Sequence, residues 1–135
     1  MRAVHHSRVL LVDDDESMRF VLARALQSLG ATVEVLDDGA GVPDAIATRH
    51  FDLIVIDLYM AGMNGFEVLR RLRRPENGIL VGGPTSANVP VLVVSGESDA
   101  ASMANARARG ANDYLVKPVD LAVFEHTVRT LLAAS

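Results

Sequence analysis

Chemically reactive side chains directly follow short apolar runs at four places in the sequence. The pairs are Val9–Val12 with Asp13 and Asp14, Leu53–Ile56 with Asp57, Val91–Val94 with Ser95, and Tyr114–Val116 with Lys117. Three carboxylates held close together repel one another unless a cation lies among them, and oxygen ligands without His or Cys suit Mg²⁺ or Mn²⁺. A carboxylate, a divalent cation and a lysine together can accept a phosphoryl group on the carboxylate as an acyl phosphate.

The elements that must position these side chains alternate along the chain. With Val33–Leu36 there are five apolar runs, and between and after them the sequence predicts helices over Ser17–Leu29, Val42–Arg49, Gly65–Arg73, Asp99–Arg109 and Asp120–Ala133. Runs that are apolar on both faces are typical of parallel strands covered by helices. The predicted fold is therefore α/β, a doubly wound sheet of five parallel strands with helices on both faces. The carboxyl ends of its strands meet at one edge, where ligands bind in such sheets.

Composition narrows the class of protein. The chain has 135 residues, which indicates one domain, and 13 basic against 17 acidic residues give a net charge of −4. Mild acidity argues against a nucleic-acid or anionic-membrane binder, and no apolar run reaches the roughly 18 residues of a membrane span. The absence of cysteine excludes disulfides and thiolate sites and fits a reducing compartment. The N-terminal residues lack a signal-peptide core, so we expect a soluble, cytoplasmic protein.

The sequence resembles the receiver domain of two-component response regulators, the family that includes the chemotaxis regulator. The matching stretches are 9–14 (VLLVDD), 52–57 (DLIVID) with Met60 and Gly65, 90–96 (PVLVVSG) and 110–118 (GANDYLVKP). In this order and spacing they cover nearly the whole chain. The resemblance implies a flavodoxin-like fold with strand order 2-1-3-4-5. It also implies an N-terminal tail over residues 1–7 and a receiver domain over residues 8–135.

The resemblance implies a role for each residue at the predicted sheet edge. Asp57 is expected to be the phospho-acceptor, and Mg²⁺ is expected to be held by Asp14, Asp57 and the main-chain carbonyl of Tyr59, with Asp13 acting through metal-bound water. Lys117 is expected to pair with the phosphoryl group through a cis Lys117–Pro118 bond that aims the lysine inward.

Two further pairs of residues take roles in switching and in signal lifetime. By the same resemblance, Ser95 is the switch hydroxyl, and Tyr114 is the aromatic switch whose ring turns inward when Ser95 moves. Tyr59 and Glu97 stand two residues after the phospho-acceptor and two after the switch hydroxyl, where they are expected to tune hydrolysis of the acyl phosphate. We expect shielding by the Tyr59 ring to dominate.

The function implied by these roles is a phosphorylation-switched signalling module of a phosphorelay. It would take the phosphoryl group from a histidine kinase or a histidine phosphotransfer protein and change the surface formed by helix 4, strand 5 and helix 5. It would not be an enzyme acting on a separate substrate, because it catalyses only its own phosphorylation and dephosphorylation. We expect no nucleic-acid or membrane partner, and the sequence does not identify the output partner or output domain.

Two alternatives stay open at this point. Asp13-x-Asp15-x-Ser17 is similar to the motif of haloacid-dehalogenase-type phosphohydrolases, which would use Asp13 and Asp15 and leave Asp57 without a role. The third hypothesis is a receiver fold that acts as an unphosphorylated docking platform, although all five chemical positions are filled.

Several features depart from the family pattern or stand outside it. Ala61 replaces a usual proline, Asn64 replaces a common acid, and the connection over residues 75–89 is longer than usual. The arginines at the C-terminal end of the predicted third helix, at positions 70, 71, 73 and 74, are interpreted as a solvated face. Lys117 is the only lysine beside twelve arginines, which suggests that its compact ammonium is required.

Overall fold

The fold is an open parallel sheet between two layers of helices, seen in a computed structural model that describes residues 6–60, 62–73 and 84–134. The strands are β1 (Arg8–Val12), β2 (Thr32–Leu36), β3 (Leu53–Ile56), β4 (Val91–Ser95) and β5 (Asp113–Val116). The helices are α1 (Glu16–Ser28), α2 (Val42–Thr48), α3 (Gly65–Arg73), α4 (Ala100–Ala108) and α5 (Leu121–Ala134). A short 3₁₀ turn, Gly39–Gly41, precedes α2. The predicted five repeats of strand and helix are confirmed.

All strand pairs are parallel, and the strand order is β2-β1-β3-β4-β5, as the resemblance implies. β1, β3 and β4 are the three central strands, and the buried residues alternate between two cores because successive strand residues face opposite sides. Leu10 and Val12 of β1 pack with α2, α3 and α4, whereas Val9 and Leu11 pack with α1 and α5. Helices therefore cover both faces of the sheet.

The ends of α1 show how local sequence sets the element boundaries. The Asp15 carboxylate accepts hydrogen bonds from the N–H groups of Ser17 and Met18 and caps the helix. At the other end Gly30 has φ +97°, a conformation that glycine adopts without steric cost. This turn fixes the start of β2, and the carbonyl of Gly30 accepts a hydrogen bond from the N–H of His6. Residues 6 and 7 of the predicted tail are thus tied to the sheet, and residues 1–5 lie outside the described residues.

The arginines at the end of α3 do not form one solvated face, and that prediction is wrong for Arg73. Arg70 and Arg71 both pair with Glu67 at the surface, which lowers the pKa of Glu67 to about 2. Arg73 is instead partly buried, and its guanidinium donates five hydrogen bonds to the carbonyls of Ala87, Val89 and Gly110 and to the side-chain oxygen of Asn112. Arg74 lies outside the described residues.

The long connection before β4 is described only over residues 84–89. Its Thr85 hydroxyl donates to the carbonyl of Arg49 and accepts from the N–H of Phe51, so this part of the connection is fastened beneath β3. The rest of the connection, including the excess length noted in the sequence, lies outside the described residues.

Candidate active site at the carboxyl edge of the sheet

The carboxyl ends of β1, β3, β4 and β5 meet at one edge, as the sequence predicts. Asp13 and Asp57 directly follow neighbouring strands, and the N–H of Asp57 donates to the carbonyl of Val12, 3.1 Å away. On the other side the N–H of Lys117 donates to the carbonyl of Ser95 over 2.8 Å. These main-chain contacts extend the sheet by one residue and hold the reactive side chains at fixed positions along its edge.

Lys117 lies between the two buried carboxylates. Its Nζ is 2.8 Å from Oδ2 of Asp13 and 3.1 Å from Oδ2 of Asp57. Asp13 is 1% exposed and Asp57 is 7% exposed, so water screens these charges poorly. Burial raises the pKa of Asp13, and the hydrogen bond from Lys117 opposes that rise. Burial lowers the pKa of Lys117, but the hydrogen bonds to Asp13 and Asp57 outweigh it, so the net shift is upward.

The Lys117–Pro118 peptide bond is cis, as the resemblance implies.

Three carboxylates at this edge form a set that fits a divalent cation. Asp13, Asp14 and Asp57 each offer a carboxylate oxygen, and these oxygens all lie within 4.8 Å of one another. Octahedral Mg²⁺ places opposite ligands about 4.2 Å apart, so a small adjustment of these side chains would satisfy it. Asp14 is exposed, which leaves one side of the set open to the water molecules that Mg²⁺ retains. The donor chemistry and the spacing therefore fit Mg²⁺, whereas the predicted role of the Tyr59 carbonyl stays a prediction.

Ser95 and Tyr114 form the other side of the site. Ser95 is fully buried at the end of β4, and its hydroxyl accepts a hydrogen bond from the N–H of Glu97. The Tyr114 ring is already turned inward in this structure, at 5% exposed, and its hydroxyl donates to the carbonyl of Glu97 over 2.7 Å. The two predicted switch residues thus meet at the main chain of Glu97, whose own side chain is exposed.

The loop after Asp57 is held close to the site. The N–H of Gly65 donates to the carbonyl of Leu58 over 2.8 Å, and a β-carbon at position 65 would lie 2.5 Å from the carbonyl oxygen of Asp57. Only glycine permits that approach. Asn64 caps α3 by accepting from the N–H of Glu67, so it performs the capping that an acid would perform there. Ala61 lies outside the described residues.

Tyr59 projects from this loop towards α4. Its N–H donates to Oδ1 of Asp57 over 3.2 Å, and its ring packs edge-on against Phe66 with the ring centroids 5.8 Å apart. The Tyr59 hydroxyl is 3.0 Å from the hydroxyl oxygen of Ser102 in α4. Sequence reasoning did not single out Ser102, because a serine in the first turn of a helix reads as an ordinary helix-start residue.

The phosphohydrolase alternative is wrong. Its second carboxylate, Asp15, is exposed and caps α1, where it accepts from Ser17 and Met18, whereas Asp57 is buried in contact with Lys117. A family model for the response regulator receiver domain matches residues 9–129. The chain belongs to the response regulator receiver domain family.

Relatives and solved structures agree with this assignment. The chain is 34% identical over 125 residues to the response regulator MprA of a Mycobacterium species, covering 93% of this chain and 50% of that regulator's length. The Francisella response regulator 1452 receiver domain matches with a TM-score of 0.83 at 26% identity, covering 96% of this chain and 98% of that one. The receiver domain of a sensor histidine kinase from Pseudomonas aeruginosa, with magnesium coordinated in its active-site cleft, matches at a TM-score of 0.80 and 25% identity, covering 95% and 98%.

The family makes this receiver domain a phosphoryl-accepting signalling module of two-component systems. Receiver domains pair with histidine kinases, and the acidic set fits the family's Mg²⁺ site. None of the helices within the described ranges is both long and apolar enough to cross a membrane.

Proposed function

We propose that Asp57 is the phospho-acceptor of this receiver domain. The observation that carries the proposal is the position of Asp57 between two carboxylates on one side and a hydroxyl on the other. β3 lies between β1, which ends at Asp13 and Asp14, and β4, which ends at Ser95. A phosphoryl group on Asp57 would therefore have the metal-binding carboxylates on one side and the switch hydroxyl on the other, with Lys117 in contact.

The chemistry is attack of an Asp57 carboxylate oxygen on phosphorus. The new O–P bond forms as the P–N bond of a phosphohistidine donor breaks, and the imidazole leaves with the electron pair of that bond. Mg²⁺, for which Mn²⁺ can substitute, supplies positive charge to the phosphoryl oxygens when it is bound. Its proposed ligands are Asp14, Asp57 and the carbonyl of Tyr59, with Asp13 contributing through water. Lys117 leaves its present contact with Asp57 Oδ2 to neutralise a phosphoryl oxygen.

The signal is read from the face formed by α4, β5 and α5. Ser95 closes on the phosphoryl group, and the main chain of Glu97, which contacts both hydroxyls, passes that movement to the Tyr114 ring, which is already turned inward in this structure. The donor is a histidine kinase or a histidine phosphotransfer protein, and an output partner or output domain binds the changed face. The mild negative charge of the chain argues against direct contact with nucleic acid or membrane, and a two-component module of this kind acts in the cytoplasm.

The lifetime of the acyl phosphate is set by residues beside the path of the attacking water. Tyr59 and Glu97 hold these positions, and the Tyr59 ring is the larger obstacle to water. Tyr59→Asn is expected to speed dephosphorylation roughly tenfold, which corresponds to about 1.4 kcal/mol of barrier. Glu97→Ala is expected to change the rate less. The measurement is decay of the phosphorylated protein in Mg²⁺ after donor removal, and an unchanged or slower decay in Tyr59→Asn would contradict shielding.

The test of the acceptor is phosphorylation by acetyl phosphate and by a phosphohistidine donor in Mg²⁺, followed by mass spectrometry of the intact protein and its peptides. Asp57→Asn keeps the shape and removes the nucleophile, so labelling should disappear. Asp15→Asn is the matched control, because Asp15 lies at the same sheet edge but caps α1, and labelling should persist. Mg²⁺-dependent labelling of Asp57→Asn at another carboxylate would refute the assignment.

A further inference from the structure

Tyr59 is half exposed, yet three contacts hold it. The N–H of Tyr59 donates a hydrogen bond to the Asp57 carboxylate, its ring packs edge-on against Phe66 of α3, and its hydroxyl is hydrogen-bonded to the hydroxyl of Ser102 in α4. The side chain therefore connects the loop that carries the acceptor with two helices. An exposed tyrosine without such contacts would sample several rotamers.

Ser102 is suited to hold the ring. It is 8% exposed in the first turn of α4, and its N–H donates to Oδ2 of Asp99, the N-cap residue, over 2.9 Å. Hydrogen bonds from the N–H of Ser102 and then from its hydroxyl lower the pKa of Asp99. The main chain of Ser102 is thus fixed by the helix cap, and its hydroxyl shares one hydrogen bond with the Tyr59 hydroxyl, in which either group can donate.

α4 buries smaller side chains than α3. Its buried residues are Ser102 and Ala106, and Met103 packs partly buried against the core, whereas α3 buries Val68, Leu69 and Leu72. Apolar burial therefore holds α4 less strongly than α3, and a polar contact makes a larger relative contribution to its position. A change in the position of its first turn would move Ser102 away from Tyr59.

We propose that Ser102 is a positioning residue for the chemistry at Asp57: through the Tyr59–Ser102 hydrogen bond, α4 holds the Tyr59 ring beside the acceptor and prolongs the acyl phosphate. The inference rests on the proposed function, because it presumes an acyl phosphate at Asp57. A ligand that displaces the first turn of α4 releases the ring and shortens the signal. A ligand that fixes this turn lengthens the signal.

The experiment measures decay of the phosphorylated chain in Mg²⁺ after removal of acetyl phosphate, for Tyr59→Phe, Ser102→Ala and the double variant. Each single change removes the same hydrogen bond, so each should speed decay about fivefold, as loss of one ordinary hydrogen bond predicts. The double variant should decay no faster than either single variant, because the bond can be lost only once.

Two further variants separate positioning from general destabilisation. Ser102→Thr keeps the hydroxyl and should decay like the parent. Ser28→Ala removes a hydroxyl that is hydrogen-bonded within α1, far from the site, and should also decay like the parent. Unchanged decay in Ser102→Ala, or additive effects in the double variant, would overturn the inference. The proposed function would still stand in that case, provided that the parent is labelled at Asp57. Failure of the parent to be labelled at Asp57 would overturn the proposed function and this inference with it.

Discussion

Replacing Arg73 with Met should cost more stability than any other arginine substitution on α3. The Arg73 guanidinium donates to four neutral acceptors at the opposite end of the sheet from the proposed active site. Burial lowers the pKa of Arg73, but guanidinium remains charged at neutral pH, so all five donors stay available. Methionine would keep most of the apolar stem and remove every donor.

The size of the effect follows from the acceptors that are left behind. Asn112 is exposed, and its side-chain oxygen also accepts from the N–H of Val91, so it loses little. The carbonyls of Ala87, Val89 and Gly110 lose their hydrogen bonds in a partly buried site, at about 1 kcal/mol each. The free energy of unfolding should fall by about 3 kcal/mol. For a domain of this size that corresponds to a decrease of about 10 °C in the melting temperature.

The assay is urea unfolding followed by circular dichroism, with Arg71→Met as the matched control. Arg71 stands on the same helix but pairs with Glu67 at the surface, where such pairs contribute less than about 1 kcal/mol. Arg73→Lys should fall between the two Met variants, because an ammonium keeps the charge but lacks the planar fork. If Arg73→Met and Arg71→Met unfold at the same urea concentration, the buried hydrogen bonds do not contribute as reasoned.

Three other predictions concern the charges of the molecule. Mg²⁺ at about ten times its dissociation constant should raise the melting temperature by about 5 °C, measured by calorimetry, and Asp14→Ala should abolish the shift. Lys117→Arg should fail to switch, measured as loss of the phosphorylation-dependent change in hydrogen exchange of α4, because a guanidinium does not fit between Asp13 and Asp57. The hydrogen bond to Asp52 raises the pKa of His50, so the contribution of this pair to stability is present in full below about pH 6.5 and is lost as pH rises through the raised pKa. The melting temperature of the parent should therefore fall across this pH range, and His50→Asn should remove that dependence. The same pH dependence in His50→Asn would contradict the assignment.

Apolar periodicity predicted most element boundaries to within one residue, and its small errors have local causes. β1 begins at Arg8 rather than Val9 because the main chain of Arg8 already pairs with Thr32 of β2, and a charged residue gives no apolar signal. α1 begins at Glu16 because Asp15 is its cap, one residue earlier than the apolar stripe indicates. β5 is an edge strand and is only half buried, so its first residue, Asp113, carries no apolar signal.

The convergence of the site could be predicted because it follows from sheet topology alone. Parallel strands bring their carboxyl ends together whatever the side chains do, so Asp13, Asp57 and Lys117 had to meet. The partners of Arg73 and Tyr59 could not be predicted in the same way. These contacts join residues 14 to 43 positions apart and depend on rotamers and on the exact placement of neighbouring helices. Neither periodicity nor spacing contains that information.

The contacts of Arg73 and the contacts of the proposed active site lie at opposite ends of β4. Arg73 holds the residues that lead into β4, and Asn112 fixes the first N–H of that strand, while Ser95 closes the other end beside Asp57. β4 is buried along its whole length, so it is a rigid support for the switch hydroxyl. α4, which follows it, fully buries only the small side chains of Ser102 and Ala106, with Met103 partly buried against the core. Movement on phosphorylation should therefore start in the loop after Ser95 and in the first turn of α4, where the hydroxyls of Tyr114 and Tyr59 are attached, and spread from there to the face formed by α4, β5 and α5.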